Sequence, residues 1–528
     1  MDLLKEALNS FLVIILIGVC PFLIQFLINY LWRPWMIYRA LKKQGFKGPP
    51  PRFMIGNLLD IADTVQHQLL TDMPSISHDY AYRVFPYLLK WRQTYGEKFI
   101  LWFGYEPRIF LQDAELIKQL LSSKLSPDCG RSPMVRKMLS VAFGEGLITV
   151  NGEKWSQQRK IVAPAFHTDK LKASVDIMSM CTDQFVNEWN EIINEAAEKP
   201  CELELTDFMD RLTAAIFMRV EFAMDYDRGG KEIYDDIRRL EELMIRNIRY
   251  LWLPGTSYIP MPSNLEAWKR TRRLENNLKH MIKKRKESGS YGDDLLGLML
   301  SEIENVSSDD KNFSYTTQQV MDECKTFFLA GRETTSVLLS WAILLLAIHQ
   351  DWQQKAHEEA IAVCGNSNPT MDSLGKLKII GMILNETLRL YPPGAGIVRQ
   401  VFKDLKLRDD FIIPEGVNVV VDIISMHRDP RYWGSDANEF RPERFRDGLS
   451  KATNNHPYAF MPFSSGPRVC IGQNFAMLEA KVVMAMMVKK FRFSMSSKYR
   501  HAPVAFVTLN PQHGIPIMVE KIECSGGD

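Results

Sequence analysis

The most strongly hydrophobic stretch of the chain lies near its N-terminus. From Phe11 to Trp32 there are 22 residues without a charge, and 15 of them are Leu, Ile, Val or Phe. A helix of this length spans ~33 Å, enough to cross the hydrocarbon core of a bilayer. A cleaved signal peptide is the alternative, but its apolar region is shorter and ends in small residues, whereas this one ends in Tyr30, Leu31 and Trp32. The pattern predicts a transmembrane anchor over residues 1–32.

The segment that follows this span is basic and rich in proline. Between Arg33 and Arg52 there are six Lys or Arg residues and no Asp or Glu. Basic flanks stay on the cytosolic side of a membrane, so the bulk of the chain is expected in the cytosol. Three consecutive prolines stiffen the segment. We expect a basic, Pro-rich linker over residues 33–52 and one domain over residues 53–528.

Beyond the linker, helical spacing of apolar residues dominates and strand patterns are short. The sequence predicts a hairpin of Lys98–Phe103 and Arg108–Leu111, and a buried strand at Val417–Asp422. Asp113 stands where the N-cap of the next helix is expected. The predicted helices share a 3.6-residue apolar period and are Ala114–Leu121, Lys154–Ala163, Leu205–Phe222, Lys231–Tyr250, Leu265–Lys286, Gln318–His349, Leu374–Leu390 and Asn474–Lys490. The fold is predicted to be mainly α with a minor β-sheet.

Composition is that of an ordinary globular chain. Hydrophobic residues make up 46% and charged residues 24% of 528, which excludes disordered, collagen-like and multi-spanning proteins. A net charge of +2 indicates no nucleic-acid partner. The eight cysteines contain no CxxC pair, which favours free thiols in a reducing compartment. The sequence contains no dinucleotide or phosphate-binding glycine motif, so electrons for any redox reaction must come from another protein.

One cysteine differs from the other seven in its surroundings. Residues 463–472 read Phe-Ser-Ser-Gly-Pro-Arg-Val-Cys-Ile-Gly, and a predicted helix follows at once. A thiol just before a helix N-terminus faces the positive end of the helix dipole, which favours the thiolate. Gly466 and Gly472 would let backbone N–H groups reach the sulfur of Cys470, and Arg468 could bind an anionic group. The alternative is an unreactive cysteine in a loop.

This loop resembles that of the cytochrome P-450 family, the haem-thiolate monooxygenases, because it matches the family pattern Phe-x-x-Gly-x-Arg-x-Cys-x-Gly. The resemblance implies a single large haem domain behind the transmembrane helix. In it Cys470 would be the axial ligand of the iron of haem b, and Phe463 and Arg468 would contact the haem. A thiolate ligand pushes electron density onto the iron and favours O–O cleavage.

A second motif lies inside the long apolar helix Gln318–His349. Residues 330–335 read Ala-Gly-Arg-Glu-Thr-Thr between apolar flanks. An incidental polar patch is the alternative, but the motif resembles the oxygen-activation motif of the same family. The resemblance implies that Gly331 lets dioxygen and substrate approach the backbone. Gly331 is therefore included among the predicted haem-binding residues. Glu333 would relay protons and Thr334 would hold the oxygen being activated, so these two are the predicted catalytic residues.

Further family motifs follow one another in the expected order. Trp155 and Arg159 lie one helical turn apart and therefore on one helix face. With Arg399 and Arg468 they are implied to bind the haem propionates, because planar guanidinium groups suit carboxylates.

A last pair of motifs concerns stability and not catalysis. Glu386 and Arg389 form an ExxR pair in an apolar helix, and Arg444 belongs to a downstream Pro-Glu-Arg-Phe element. By resemblance, these three residues form a buried charge triad that braces the core beside the haem.

The resemblance implies a monooxygenase that hydroxylates a hydrophobic small molecule of terpenoid, fatty acid or plant hormone type. Residues 146–172 and 323–328 narrow the match to a plant clan of hormone- and terpenoid-oxidising members. Because anchored members of the family lie in the endoplasmic reticulum membrane, the resemblance implies the same location here. One helix would cross the membrane and the catalytic domain would face the cytosol. Electrons would come from a membrane-bound NADPH-cytochrome reductase, so NADPH is used only indirectly. The alternatives are a haem-thiolate isomerase or dehydratase and a non-enzymatic haem protein, but neither needs the Glu333–Thr334 pair.

Overall fold

Helices form most of the part of the chain that the computed structural model describes, which is residues 18, 20–122, 124–196, 200–247, 250, 255–304, 315–408 and 411–522. The helices of the N-terminal half are α1 Arg33–Lys43, α2 Leu58–Leu69, α3 Ala81–Val84, α4 Pro86–Tyr95, α5 Ala114–Leu121, α6 Pro133–Phe143, α7 Gly152–Val162, α8 Thr168–Glu195, α9 Leu205–Phe222 and α10 Lys231–Asn247. Those of the C-terminal half are α11 Pro262–Glu287, α12 Leu295–Glu304, α13 Thr317–Ile348, α14 Gln350–Cys364, α15 Met371–Leu374, α16 Lys378–Leu390, α17 Ile423–Met426, α18 Pro430–Trp433, α19 Leu449–Ala452 and α20 Gln473–Lys490.

The strands are short and form small sheets at the side of the helices. They are β1 Ile100–Phe103, β2 Glu106–Leu111, β3 Cys129–Gly130, β4 Cys201–Glu204, β5 Gly396–Val401, β6 Leu405–Arg408, β7 Phe411–Ile413, β8 Asn418–Asp422, β9 Phe491–Met495, β10 Pro503–Ala505, β11 Leu509–Pro511 and β12 Pro516–Lys521. The largest described sheet has the order β1-β2-β8-β5-β3. The predicted hairpin is confirmed, because β1 pairs antiparallel with β2, while β8 joins β2 in parallel register. The mainly α fold with a minor β-sheet is therefore confirmed.

The helix α13 runs through the centre of the molecule. It begins with a capping box in which Thr316 and Gln319 satisfy each other's backbone N–H groups. Of the described helices, α13 is the one that is long and apolar enough to cross a membrane, but 83% of its most apolar window is buried within the protein. It is therefore a core helix, and the indole N–H of Trp341 ties it to the carbonyl of Leu509 at 2.8 Å.

The predicted helix Leu374–Leu390 is two helices in the structure. α15 ends at Leu374, and α16 starts at Lys378. Gly375 caps the end of α15, and the carboxylate of Glu359 accepts the backbone N–H groups of residues 378–380 at the start of α16. The apolar period continues across this break, which is why the pattern alone does not reveal it.

The predicted membrane span Phe11–Trp32 lies mostly outside the described residues. Its described end is helical and runs through a π-helical turn, Ile28–Trp32, into α1. Leu41 of α1 is fully buried in the domain, and a Cβ on Gly48 would collide with the carbonyl oxygen of Ile100. Much of the segment that the sequence predicts as a linker therefore packs against the sheet.

The predicted charge triad is present, with Glu386 and Arg389 fully buried and Arg444 largely buried. Glu386 and Arg389 are joined at 2.7 Å with both side chains fully buried, and Arg444 lies 3.5 Å from Glu386. Arg389 also donates to the carbonyls of His427, Ala437 and Glu439. These bonds attach α16 to the irregular segment that precedes the cysteine loop.

Removing the carboxylate of this triad should weaken the whole domain. Glu386→Gln leaves the buried guanidinium of Arg389 without its counter-charge, which is expected to lower the free energy of unfolding by about 3–5 kcal/mol in urea denaturation. As a control, Asp447→Asn breaks an exposed pair with Lys451 whose side chains are 60% and 72% accessible. That change should cost less than about 1 kcal/mol. Equal effects of the two substitutions would contradict a special role for the triad.

Candidate active site

The cysteine loop is held in place by its own backbone. The 3-10 turn Gly466–Arg468 follows Phe463, whose carbonyl accepts the backbone N–H of Cys470 at 2.9 Å. Gly466 has a φ of +72°, and a Cβ there would collide with the carbonyl oxygen of Leu121. Glycine is therefore required for the close approach of the loop to α5, which is not the role that the sequence suggested for it.

The sulfur of Cys470 borders an internal cleft. Its side chain is exposed to solvent, yet it lies deep enough for burial to raise the pKa of the thiol. Both observations hold for a sulfur that faces a space inside the protein. The backbone N–H of Gly472 and the guanidinium of Arg159 act against burial and lower the thiol pKa. These donors favour the thiolate, the form that binds metals.

Four arginines and a tryptophan lie beside the cysteine loop. The guanidinium of Arg468 is 4.3 Å from the centre of the Trp155 ring, and that of Arg159 is 5.7 Å from the same ring. Burial and the charge of Arg131 lower the pKa of Arg399 to about 9, and the same two causes lower that of Arg468 to about 10. Arg399 and Arg468 also line one small pocket. These four arginines are called the arginine cluster below.

The arginine cluster fits a ligand that carries two carboxylates. Within the described part of the chain, no ion pair joins Arg131, Arg159, Arg399 or Arg468 to an acidic side chain. The buried Nε of Arg468 has no hydrogen-bond partner. Arg399 is buried and the other three are half-buried. Like charges that are partly or fully buried without counter-ions are unfavourable, so an anionic ligand would stabilise this region. The two propionates of haem meet that requirement next to a thiolate that can bind iron, and the residues present therefore fit haem.

The hydroxyl of Thr334 lies at the wall of an open space along α13. It donates to the carbonyl of Ala330 at 2.8 Å, and both atoms are exposed. Ala330 is exposed although most of its neighbours in α13 are buried. Because the hydroxyl uses its proton within the helix, its oxygen keeps the capacity to accept a hydrogen bond.

Gly331 has a packing role between helices. A Cβ on this residue would collide with the ring of Phe217 from α9. The ring of Phe217 in turn contacts that of Phe475 in α20, with centroids 5.4 Å apart. The missing side chain thus lets α13 approach α9, whereas the sequence suggested that it admits dioxygen and substrate. Ala330 is the small residue that borders open space.

The carboxylate of Glu333 is bound by residues from two distant segments. It accepts hydrogen bonds from the hydroxyl of Thr508 and from the amide of Asn510 at 3.5 Å. It also lies within hydrogen-bonding distance of the carboxyl of Glu241 in α10. Burial, followed by the charge of Glu333, raises the pKa of Glu241 to about 9. One member of a largely buried acidic pair, Glu333, therefore directly precedes Thr334 in the sequence.

Sequence reasoning missed Arg131, Glu241 and Thr508. Glu241 left a signal, because it falls within the apolar stripe of α10 that includes Ile237 and Met244. An acid in such a stripe needs a buried partner. Arg131 and Thr508 left none, since only folding brings their segments to the other site residues.

A cysteine just before a helix, a cleft beside its sulfur and a cluster of guanidinium groups without acidic partners define the site of a haem-thiolate protein. The family model of cytochrome P-450 matches residues 47–514. The chain therefore belongs to the cytochrome P-450 family, whose members are monooxygenases that carry haem b on a cysteine thiolate and receive electrons from a reductase.

Curated relatives are plant members of this family. The chain is 38% identical to a cytokinin hydroxylase of Arabidopsis thaliana over 523 residues, which cover 98% of this chain and 99% of that protein. It is 39% identical to cytochrome P-450 709B1 of the same plant over 497 residues, 93% of this chain and 94% of the relative. Cytochrome P-450 734A1 of Arabidopsis thaliana is 36% identical over 503 residues, 93% of each chain. The predicted resemblance to plant members is confirmed.

The imidazole of His427 connects the charge triad to the cysteine loop. Its Nε2 accepts the backbone N–H of Met461 at 3.0 Å, so its Nδ1–H donates to the carbonyl of Arg389 at 3.1 Å. Burial and the charges of Arg428 and Arg389 lower the pKa of His427 to about 3. The imidazole of His427 is therefore neutral in the folded protein, as its two hydrogen bonds require.

Acid should weaken the fold through His427. The unfolded ring binds a proton near pH 6.5 and the folded ring only near pH 3, so the free energy of unfolding falls as pH decreases between these values. One such group contributes a slope of about 1.4 kcal/mol per pH unit. We expect His427→Gln to reduce this slope in urea denaturation measured from pH 6.5 to 4, whereas His67→Gln at an exposed position should not. An unchanged slope in His427→Gln would contradict the assignment.

Proposed function

We propose that this cytochrome P-450 hydroxylates a hydrophobic small molecule of plant hormone or terpenoid type, with electrons from a membrane-bound NADPH-cytochrome reductase. The observation that carries the proposal is the acid–alcohol pair Glu333–Thr334 in α13, in a protein whose Cys470 faces an internal cleft. A similar cytokinin hydroxylase supports the hormone class. Fatty acids are a further candidate class.

Each group of residues has its own part in this proposal. When bound, haem supplies a thiolate-ligated iron at which dioxygen is activated. Cys470 would hold the iron, with the N–H of Gly472 stabilising its negative charge. The arginine cluster and Trp155 would hold the propionates and fix the orientation of the ring. Thr334 would hold oxygen by hydrogen bonding and Glu333 would supply protons, which is general acid assistance.

An exposed aromatic side chain in the segment that binds Glu333 supports a hydrophobic substrate. Phe506 lies in the turn between β10 and β11 and is 54% exposed. Two residues later, Thr508 binds the carboxylate of Glu333. Phe506 is therefore two residues from a side chain that binds the catalytic carboxylate, and its exposed ring is suited to contact an apolar substrate.

The N-terminal hydrophobic span supports attachment to a membrane. We propose that residues 1–32 form a single-pass anchor in the endoplasmic reticulum membrane, that residues 33–52 join it to the catalytic domain, and that residues 53–528 form that domain in the cytosol. The uncharged run Phe11–Trp32 and the basic residues after it carry this proposal. Exposed Trp32 and Trp35 at the end of the run suit the interface between lipid and water.

Two other haem-based functions compete with this proposal. An isomerase or dehydratase would convert hydroperoxides without a reductase, and a binding protein would hold haem without turnover. Incubation with reductase and a panel of cytokinins, terpenoids and fatty acids separates the three. Substrate-dependent NADPH consumption with a hydroxylated product supports the monooxygenase, whereas turnover of hydroperoxides without NADPH, or no turnover, would reject it for these substrates.

Replacing the proposed ligand should abolish the spectrum of thiolate ligation. Cys470→Ser is expected to lose the red-shifted Soret band of the reduced, carbon monoxide-bound protein, because a hydroxyl does not replace a thiolate as ligand. Cys364→Ser, at a half-buried position in another part of the fold, should keep the band. A normal band in the Cys470 variant would refute the ligand assignment.

Thr334→Ala should uncouple NADPH consumption from product formation. The change removes a hydroxyl with little change in volume, so haem content and substrate affinity should be nearly unchanged. Activated oxygen would be held less well for protonation, and more of it should leave as hydrogen peroxide. General acid–base groups contribute roughly 10²–10⁴ in rate, so a clear fall in product per NADPH is expected. Ser340→Ala removes a buried hydroxyl of α13 that has no hydrogen-bond partner among the described residues and is the control for helix packing. Unchanged coupling in Thr334→Ala would exclude the proposed role.

A further inference from the structure

A network of buried charged groups leads from the catalytic pair to α9 and α10. Arg332, the residue before Glu333, donates from one nitrogen to Asp210 in α9 and from another to Glu241 in α10 at 3.2 Å. Its backbone carbonyl also accepts the hydroxyl of Thr213 at 3.0 Å. Arg332 is only 4% exposed. Asp210, Glu241 and Thr213 thus fix the position of Arg332.

The charges in this network do not balance if every acid is ionised. Three acids, Asp210, Glu241 and Glu333, face one buried base, Arg332. The hydroxyl of Tyr234 donates to Asp210 at 2.7 Å, so Asp210 is satisfied as an anion paired with Arg332. The remaining two carboxyls are 9% and 7% exposed and lie against each other. Two buried carboxylates in contact repel, so one of them must be neutral.

Other charged groups near the network lie at its outer end. Arg238 donates to Tyr234 at 3.1 Å and to Asp207 at 2.9 Å, and its side chain is 47% exposed. It is therefore engaged with Tyr234 and Asp207. On the side of Glu333, Thr508 and Asn510 contribute only neutral groups.

We propose that Glu241 and Glu333 share a single proton and that Glu241 supplies it to Glu333 during turnover. The proposal rests on the proposed function of the site and extends it to a residue of another helix. In the transfer, the O–H bond of Glu241 breaks as an O–H bond forms on Glu333, and no electrons are exchanged. Glu241 is left as a carboxylate beside Arg332, which stabilises the charge, and water re-protonates it before the next cycle. Glu241 acts through Glu333 and is a positioning and proton-supplying residue.

The burial of the pair determines the pH range in which this proton is held. Burial and the charge of Glu333 raise the pKa of Glu241 to about 9 from 4.5. The acid form is therefore present below about pH 9 and lost above it. The pair is thus loaded with one proton at neutral pH.

Infrared spectroscopy of the full-length haem-loaded protein tests the shared proton without relying on activity. At pH 7 we expect the C=O stretch of a protonated carboxylic acid that is lost or shifted in both Glu241→Gln and Glu333→Gln. The band should disappear as pH rises through about 9. Glu221→Gln is the matched control, because Glu221 is in α9, outside the pair, and burial raises its pKa to about 8. It should remove a separate band and leave the first one. Absence of a band sensitive to both substitutions would overturn the proposal.

Coupling measurements decide whether the reaction uses this proton. Glutamine at position 241 keeps the shape and hydrogen bonds of Glu241 but is not an acid. We expect Glu241→Gln to lower the product formed per NADPH. In the unchanged protein this ratio should decline as pH rises toward 9, and in Glu241→Gln that decline should be absent. The fall in rate should be smaller than the roughly 10²–10⁴-fold typical of an acid group, because Glu333 is still present. Glu241→Asp, a shorter acid, should recover part of the coupling. A purely structural role predicts the opposite order, and wild-type coupling in Glu241→Gln would overturn the relay.

The two levels of the proposal fail in different ways. If the unchanged protein lacks the thiolate spectrum or NADPH-dependent hydroxylation, the proposed function is rejected. The infrared band does not depend on either measurement. Its loss in Glu241→Gln and Glu333→Gln, with the haem spectrum retained, supports the shared proton itself.

Discussion

The fold around the active site depends on one buried guanidinium, that of Arg389. All five of its N–H donors are used: two bind Glu386 and three bind the carbonyls of His427, Ala437 and Glu439. A buried charge with fewer partners would be strongly destabilising, so these segments can hardly separate one at a time. Through His427 and the N–H of Met461, the same connection reaches the start of the cysteine loop. The segment just before the cysteine loop is thus tied to a residue far from it in sequence.

The site has opposite electrostatic character at its two ends. The arginine cluster beside Cys470 gathers positive charge without acids, and burial lowers the pKa of its members. The network around Arg332 gathers three acids around one base, and burial raises the pKa of Glu241. Each arrangement is unfavourable alone, and each becomes favourable with the group it suits: an anionic ligand in the first case and a proton in the second. Unbalanced buried charge therefore indicates function at both ends.

Sequence patterns predicted long apolar elements well and contacts between distant segments poorly. α5 and α9 have the predicted ends, because an N-cap at Asp113 and a strong apolar period define them. The 28-residue helix α8 was not predicted, since polar residues spread over its faces weaken the period. Motif matching found Trp155 and three of the four clustered arginines. It could not find Arg131 or explain Gly331, because their reasons lie in neighbours that folding supplies.

The helical N-terminal segment has a mechanical consequence. From Cys20 through the π-helical turn to Lys43 the chain is continuously helical. Tyr30 packs on Tyr105 with ring centres 4.6 Å apart, and Leu41 is buried in the core. In the membrane-anchored arrangement proposed above, such a continuous helix would act as a rigid connection and not as a flexible linker. The tilt of the domain against the lipid surface would then be fixed by the seating of Leu41. A short flexible insertion after Lys43 would let the domain rotate relative to the N-terminal helix without changing any residue of the cleft.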